Sequence, residues 1–146
     1  MSYLVDTNVL LRSVQPHHPM HTDAVAATVK LKQSGESLYI TPQNLIEFWA
    51  VATRPVSANG LGLSVVDAAK ELKRLKRLFI FQRDNPAIYT RWESLVIQHQ
   101  VIGKPSHDAR LVAAMMVHKL THILTFNISD FKRFSNITAV DPTSVK

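Results

Sequence analysis

Three acids far apart in the chain share one kind of setting. Asp6 lies in Tyr3-Leu4-Val5-Asp6-Thr7-Asn8-Val9-Leu10-Leu11, Glu47 in Asn44-Leu45-Ile46-Glu47-Phe48-Trp49, and Asp108 in Ser106-His107-Asp108-Ala109-Arg110-Leu111-Val112. Each has an apolar flank. Burying an ionised carboxylate is costly unless a cation or hydrogen-bond donors compensate. Gathered into one cleft, these side chains would make an oxygen-only site for a hard divalent cation, Mg²⁺ or Mn²⁺. The chain has no cysteine, which excludes disulfides, thiolate zinc sites and cysteine nucleophiles. His17, His18 and His21 suggest zinc by number, but they sit in or beside a Pro-rich loop without a thiolate and read as exposed.

The elements that must position these acids alternate in type. Tyr3–Val5 reads as a short buried strand ended by Asp6, with Asn8 able to cap a helical segment Val9–Ser13. Prolines 16 and 19 mark a loop. Thr22 or Asp23 can start a helix to about Gln33, with Ala24, Val25, Val29 and Leu31 as its apolar positions and Ser34-Gly35 as its stop. Leu38–Ile40 is a second strand. Thr41 and Pro42 then supply an N-cap and a first helical residue. Leu45, Ile46, Trp49 and Ala52 form that helix's apolar face, beside Glu47, and Arg54-Pro55 closes it. After the turn Asn59-Gly60-Leu61-Gly62, Ser64 caps a helix through Arg77. Leu78–Phe81 is a third strand, and Asp84-Asn85-Pro86 opens a helix ending near Gln100. Val101–Pro105 reads as a loop leading to Ser106, His107 and Asp108. Ala109–Lys119 is the most apolar helix, His122–Thr125 a fourth strand, Ser129–Lys132 a short helical turn and Ile137–Val140 a last strand. Such alternation predicts an α/β fold, a parallel sheet covered on both faces. Ligands in such folds sit at the carboxyl ends of strands, where Asp6 and the segment Thr125–Asp130 both fall.

A length of 146 residues, 46% of them apolar, suits one domain over 1–146 with a sizeable core. Seventeen Lys and Arg against eleven Asp and Glu give a charge of +6, which favours an anionic partner such as nucleic acid. The start of the sequence lacks the basic and apolar regions of a signal peptide. No apolar run approaches the ~20 residues of a membrane helix. With the absence of cysteine, this leads us to expect a cytoplasmic, membrane-free protein.

Taken in order, Val5–Leu11, the helical Glu47, His107-Asp108-Ala109 and Leu124-Thr125-Phe126-Asn127-Ile128-Ser129-Asp130-Phe131 resemble the PIN domain. The compact form, with Ala52-Thr53-Arg54-Pro55 followed by Asn59-Gly60-Leu61-Gly62, is similar to the VapC-type toxin ribonucleases of toxin–antitoxin pairs. The resemblance spans nearly the whole chain. It implies a single-domain three-layer sandwich around a five-stranded parallel sheet. It also implies endonuclease action on RNA, Mg²⁺ or Mn²⁺ as cofactor, a small antitoxin as partner, and a homodimer. By motif, Asp6, Glu47 and Asp108 are the acids that hold the metal. Where many relatives have a fourth acid, this chain has Asn127. Asp130 could supply that charge or merely cap its short turn.

A phosphodiester is a poor electrophile, so hydrolysis by water needs charge neutralised on both attacking and leaving oxygens. Thr7, Asn8, Thr125, Asn127 and Arg110 are candidates to orient the acids or contact phosphate. Arg12, Arg54 and Lys104 also lie near the acids in sequence. Trp49 and Trp92 could stack bases or belong to the core. The Lys70–Arg77 run reads as a solvated helix face. Glu47 could instead pair with Arg54 or Arg110, and Asp108 could merely cap its helix. Two competing functions remain. An aspartyl-phosphate enzyme would use Asp6 as nucleophile, but Asn8 stands where it needs a second acid, and the lysine that such enzymes need before a late acidic pair is missing. A degenerate PIN domain would hold RNA or protein without cutting.

Overall fold

The computed structural model describes residues 1–146. Five short parallel strands form one sheet in the order β3-β2-β1-β4-β5, comprising β1 (Ser2–Val5), β2 (Ser37–Ile40), β3 (Ile80–Phe81), β4 (His122–Leu124) and β5 (Thr138–Val140). The chain runs outward from β1 through β2 to β3, then crosses back to place β4 on the other side of β1. The switch point therefore lies between β1 and β4, at whose carboxyl ends Asp6 and Thr125 stand.

Side chains of the central strands alternate between two cores. Tyr3, Val5, Leu38, Ile40 and Leu124 enter one cluster, while Leu4 and Ile123 enter the other, as the period of two demands. The first cluster is covered by α1 (Thr7–Ser13), α2 (His21–Gln33), α3 (Pro42–Ala52) and α4 (Val65–Leu78). The second is covered by α5 (Ala87–Gln98) and α6 (Pro105–Val117). The result is the three-layer, single-domain α/β sandwich that the resemblance implies.

Several local expectations need correction. Asp6 itself, not Asn8, caps α1, accepting from Thr7 N. Helix α2 starts at His21 without a side-chain cap. It buries Ala24, Ala27, Thr28 and Leu31, leaving Val29 exposed. In α3 the expected Thr41 cap and Pro42 start are present, closed by Asn44 into a reciprocal capping box. Phe48, however, takes the core position given to Ile46, which is 68% exposed. Helix α4 runs on to Leu78, so β3 keeps only two residues. Helix α6 begins at Pro105, which places Asp108 in its first turn rather than before it.

Candidate active site

Asp6 ends the buried strand β1 and is only 8% exposed. Its Oδ1 accepts from Thr7 N at 2.8 Å, and its Oδ2 accepts from the Thr125 hydroxyl at 2.8 Å and from Asn8 Nδ2 at 3.4 Å. Thr125 is fixed in turn by Asn127 N at 3.0 Å and Asn8 Nδ2 at 3.2 Å, while Asn8 Oδ1 accepts from Phe126 N. Residues from the ends of β1 and β4 thus lock one carboxylate in place across the switch point. Burial outweighs these donors and pushes the Asp6 carboxyl up to about 7. The negative charges of Asp108 and Glu47 add to the rise.

Glu47 projects from the middle of α3. Its Oε1 accepts from the Thr7 hydroxyl at 2.8 Å and its Oε2 from Gln43 Nε2 at 3.2 Å. Thr7 therefore bridges the elements carrying Asp6 and Glu47, and the fully buried Asn44 donates to the same hydroxyl at 3.4 Å. Asp108, half-buried on α6, has its carboxyl pushed up to about 6, first by burial, then by the charges of Asp130 and Glu47. Asp130 is exposed on a short 3-10 turn, Ile128–Phe131, and with Glu47, Lys104, His107 and Asp108 it lines a cavity of about 370 Å³. The cap of that turn is Asn127, so Asp130 does not serve as its cap.

Asp6 thus feels the charges of Asp108 and Glu47, and Asp108 feels those of Asp130 and Glu47. None of them pairs with a cation: Arg12 bonds Gln15, Arg110 bonds Asp84 and Gln43, and Arg54 is exposed in a loop. Glu47 is paired with neither Arg54 nor Arg110. The donor set is oxygen alone, negatively charged and unneutralised, which suits a hard divalent cation. As they stand, no three His, Asp or Glu side chains are close enough together to grip one ion. This also leaves His17, His18 and His21 without a zinc arrangement; His18 accepts from Met20 N and His21 meets Arg12 O.

Two residues of this network have no role that the sequence announces. Gln43 donates to Glu47 and, at 2.7 Å, to the His107 carbonyl, and accepts from Arg110 at 3.0 Å. It ties α3 to the first turn of α6, and so couples the positions of Glu47 and Asp108. Its spacing of four residues from Glu47 places both on one helix face, a signal present in the sequence. Asn44 is the other; in the sequence it stands out only as part of the segment that flanks Glu47.

The PIN domain family matches residues 3–137. The chain belongs to the PIN domain family. No curated protein matches it in sequence. Among solved structures, VapBC-1 of nontypeable Haemophilus influenzae is similar at a TM-score of 0.73 and 14% identity, covering 99% of this chain and 100% of that one. FitAcB of Neisseria gonorrhoeae is similar at 0.65 and 22% identity, covering 97% and 99%. VapC20 of Mycobacterium tuberculosis, described as a sarcin-ricin loop cleaving toxin, is similar at 0.62 and 15%, covering 83% and 86%. At these identities the likeness is one of fold, so what this PIN domain does rests on its own residues. No helix is long and apolar enough to cross a membrane.

Proposed function

We propose that this PIN domain is a Mg²⁺- or Mn²⁺-dependent endoribonuclease and the toxin of a toxin–antitoxin pair. The observation that carries the reading is the buried, hydrogen-bonded Asp6, unpaired with any cation and reached by the charges of Glu47 and Asp108, which share a cavity with Asp130. Asp6, Asp108 and Glu47 would hold the ion once it draws them closer together than they stand, with the exposed Asp130 beside Glu47 and Asp108. When bound, a divalent cation neutralises charge on phosphate oxygens and makes water a better nucleophile at neutral pH. The protein's own part is positional. Thr125, Asn8 and Thr7 N fix both oxygens of Asp6, Thr7 and Gln43 fix both oxygens of Glu47, and Lys104 and Arg110 offer cations to flanking phosphates. With water as the nucleophile, the products carry 5′-phosphate and 3′-hydroxyl ends. The basic balance of +6 favours the polyanion. The fold shared with VapBC complexes supports an antitoxin as partner; a homodimer is what the family resemblance implies, and a cytoplasmic place of action fits that role.

The test is incubation of the purified protein with RNA in Mg²⁺ or Mn²⁺, in EDTA, and as Asp6→Asn. Cleavage only in the first arm, with 3′-hydroxyl ends, supports the nuclease. Cyclic phosphate ends refute the water mechanism. RNA retained without cutting in every arm supports the second reading, a binding module, which the wide spacing of the acids and Asn127 favour. Growth arrest on expression, relieved by Asp6→Asn, tests the toxin role separately.

A further inference from the structure

A second cavity, of about 390 Å³, opens between the start of α5 and the start of α6 and has no part in holding the acids. Tyr89 and Trp92 line it, with Asn85, Ile88, His107 and Arg110. It is not isolated. His107 and Arg110 also line a cavity of about 440 Å³ shared with Glu47, and His107 borders the cleft of Asp108 and Asp130. Three adjoining cavities thus lead from Glu47, Asp108 and Asp130, past His107 and Arg110, to an aromatic end.

That end is built for a flat ring. Tyr89 is 63% exposed, unusual for so large an aromatic side chain. Its ring centre lies 5.6 Å from that of Trp92, at 42°. Trp92 is held by its indole N–H, which donates to Ser106 O at 2.8 Å. A platform already fixed in place loses little entropy when it receives a ligand. Arg110 reaches Asp84 at 3.2 Å, with both side chains more than a third exposed. Such a pair is weakly held, and a phosphate can compete for the guanidinium. A docking helix would want a row of aliphatic side chains. This cavity has one isoleucine, Ile88, and it is only 2% exposed. Aromatic faces with a cation between them and an acidic cleft fit an unpaired nucleobase.

We propose that Tyr89 and Trp92 form a stacking subsite for one unpaired base of the RNA, beside the nucleotide that is cut, with Arg110 on the intervening phosphate. The inference rests on the ribonuclease reading and adds to it the residues that would hold one base of the substrate. The test uses short single-stranded RNAs carrying the fluorescent base 2-aminopurine at successive positions. Binding is measured on Asp6→Asn protein, which does not cut, and cleavage on otherwise unmodified protein in Mg²⁺. Adding Tyr89→Ala should weaken binding roughly 10- to 100-fold and remove the quenching at one position, while Tyr89→Phe should retain both. An abasic nucleotide at that position should erase the difference between Tyr89 and Ala. Equal binding and equal quenching with Tyr89 and with Ala overturn the subsite even if cleavage is intact. So does a Tyr89→Ala variant that loses only a protein partner while RNA binding is unchanged. Position-specific quenching without any cleavage would uphold the subsite and defeat the nuclease reading instead.

Discussion

Replacing Asp6 by Asn should stabilise the metal-free protein while abolishing its chemistry. Asn caps helices as well as Asp does and can keep the bond from Thr7 N, so the change isolates the charge. The folded carboxyl sits at about 7 against an ordinary 3.8. Between those values the folded state binds the proton and the unfolded state releases it, so stability falls as pH rises from about 4 to about 7 and is level above. The full penalty is about 4 kcal/mol at pH 8 and about 2 kcal/mol at pH 5. Asn must still reorganise the contacts with Thr125 and Asn8, at about 1–2 kcal/mol. A net gain of about 2 kcal/mol at pH 8 corresponds to roughly 4–8 °C in Tm for a chain of this size, and it should vanish near pH 5. Thermal unfolding in EDTA at both pH values is the assay. A lower Tm for Asp6→Asn at pH 8, or an equal gain at both pH values, would refute the claim that a buried, uncompensated charge sits at the end of β1.

Two further outcomes follow from other parts of the structure. Gln43→Leu removes three hydrogen bonds that link Glu47, the His107 carbonyl and Arg110. The Mg²⁺ concentration for half-maximal cleavage should rise roughly 10- to 100-fold as Glu47 and Asp108 lose their common tie; an unchanged metal titration would show that Gln43 does not set their spacing. Gly60→Ala places a Cβ 2.0 Å from the Arg54 carbonyl oxygen, in a turn closed by Gly60 N on Pro55 O and Gly62 N on Arg54 O. Tm should drop by roughly 4–10 °C, from about 2–3 kcal/mol of forced backbone movement, and calorimetry showing no loss would mean the turn gives way freely.

What could be read beforehand was mostly local. The Thr41-Pro42 start of α3 announces itself by residue type, and Asp6 by ending an apolar run. The face of α3 was harder, because Leu45, Ile46, Phe48 and Trp49 all satisfy helical spacing within a residue or two, and only packing against the sheet selects Phe48 over Ile46. The start of α6 was misplaced because Pro105 reads as a loop breaker, although proline is equally at home in the first turn of a helix. The third strand was overextended because Leu78 and Phe79 look β-like, while the backbone of α4 continues through Leu78. That the charges of Glu47 and Asp108 reach Asp6, and that of Asp130 reaches Asp108, depends on the crossover from β3 to β4, a long-range event that no local pattern encodes. Acid types and apolar flanks mark Asp6, Glu47 and Asp108 as candidates; the sheet order brings the elements that carry them to one end of the sheet.

Glu47 belongs to a helix that covers one core, and Asp108 to a helix that covers the other, with Asp6 just past the end of the strand between. A partly folded chain, with either flank undocked, cannot assemble the site. On the nuclease reading, newly made or damaged copies would accordingly be harmless to nearby nucleic acid until both flanks have docked.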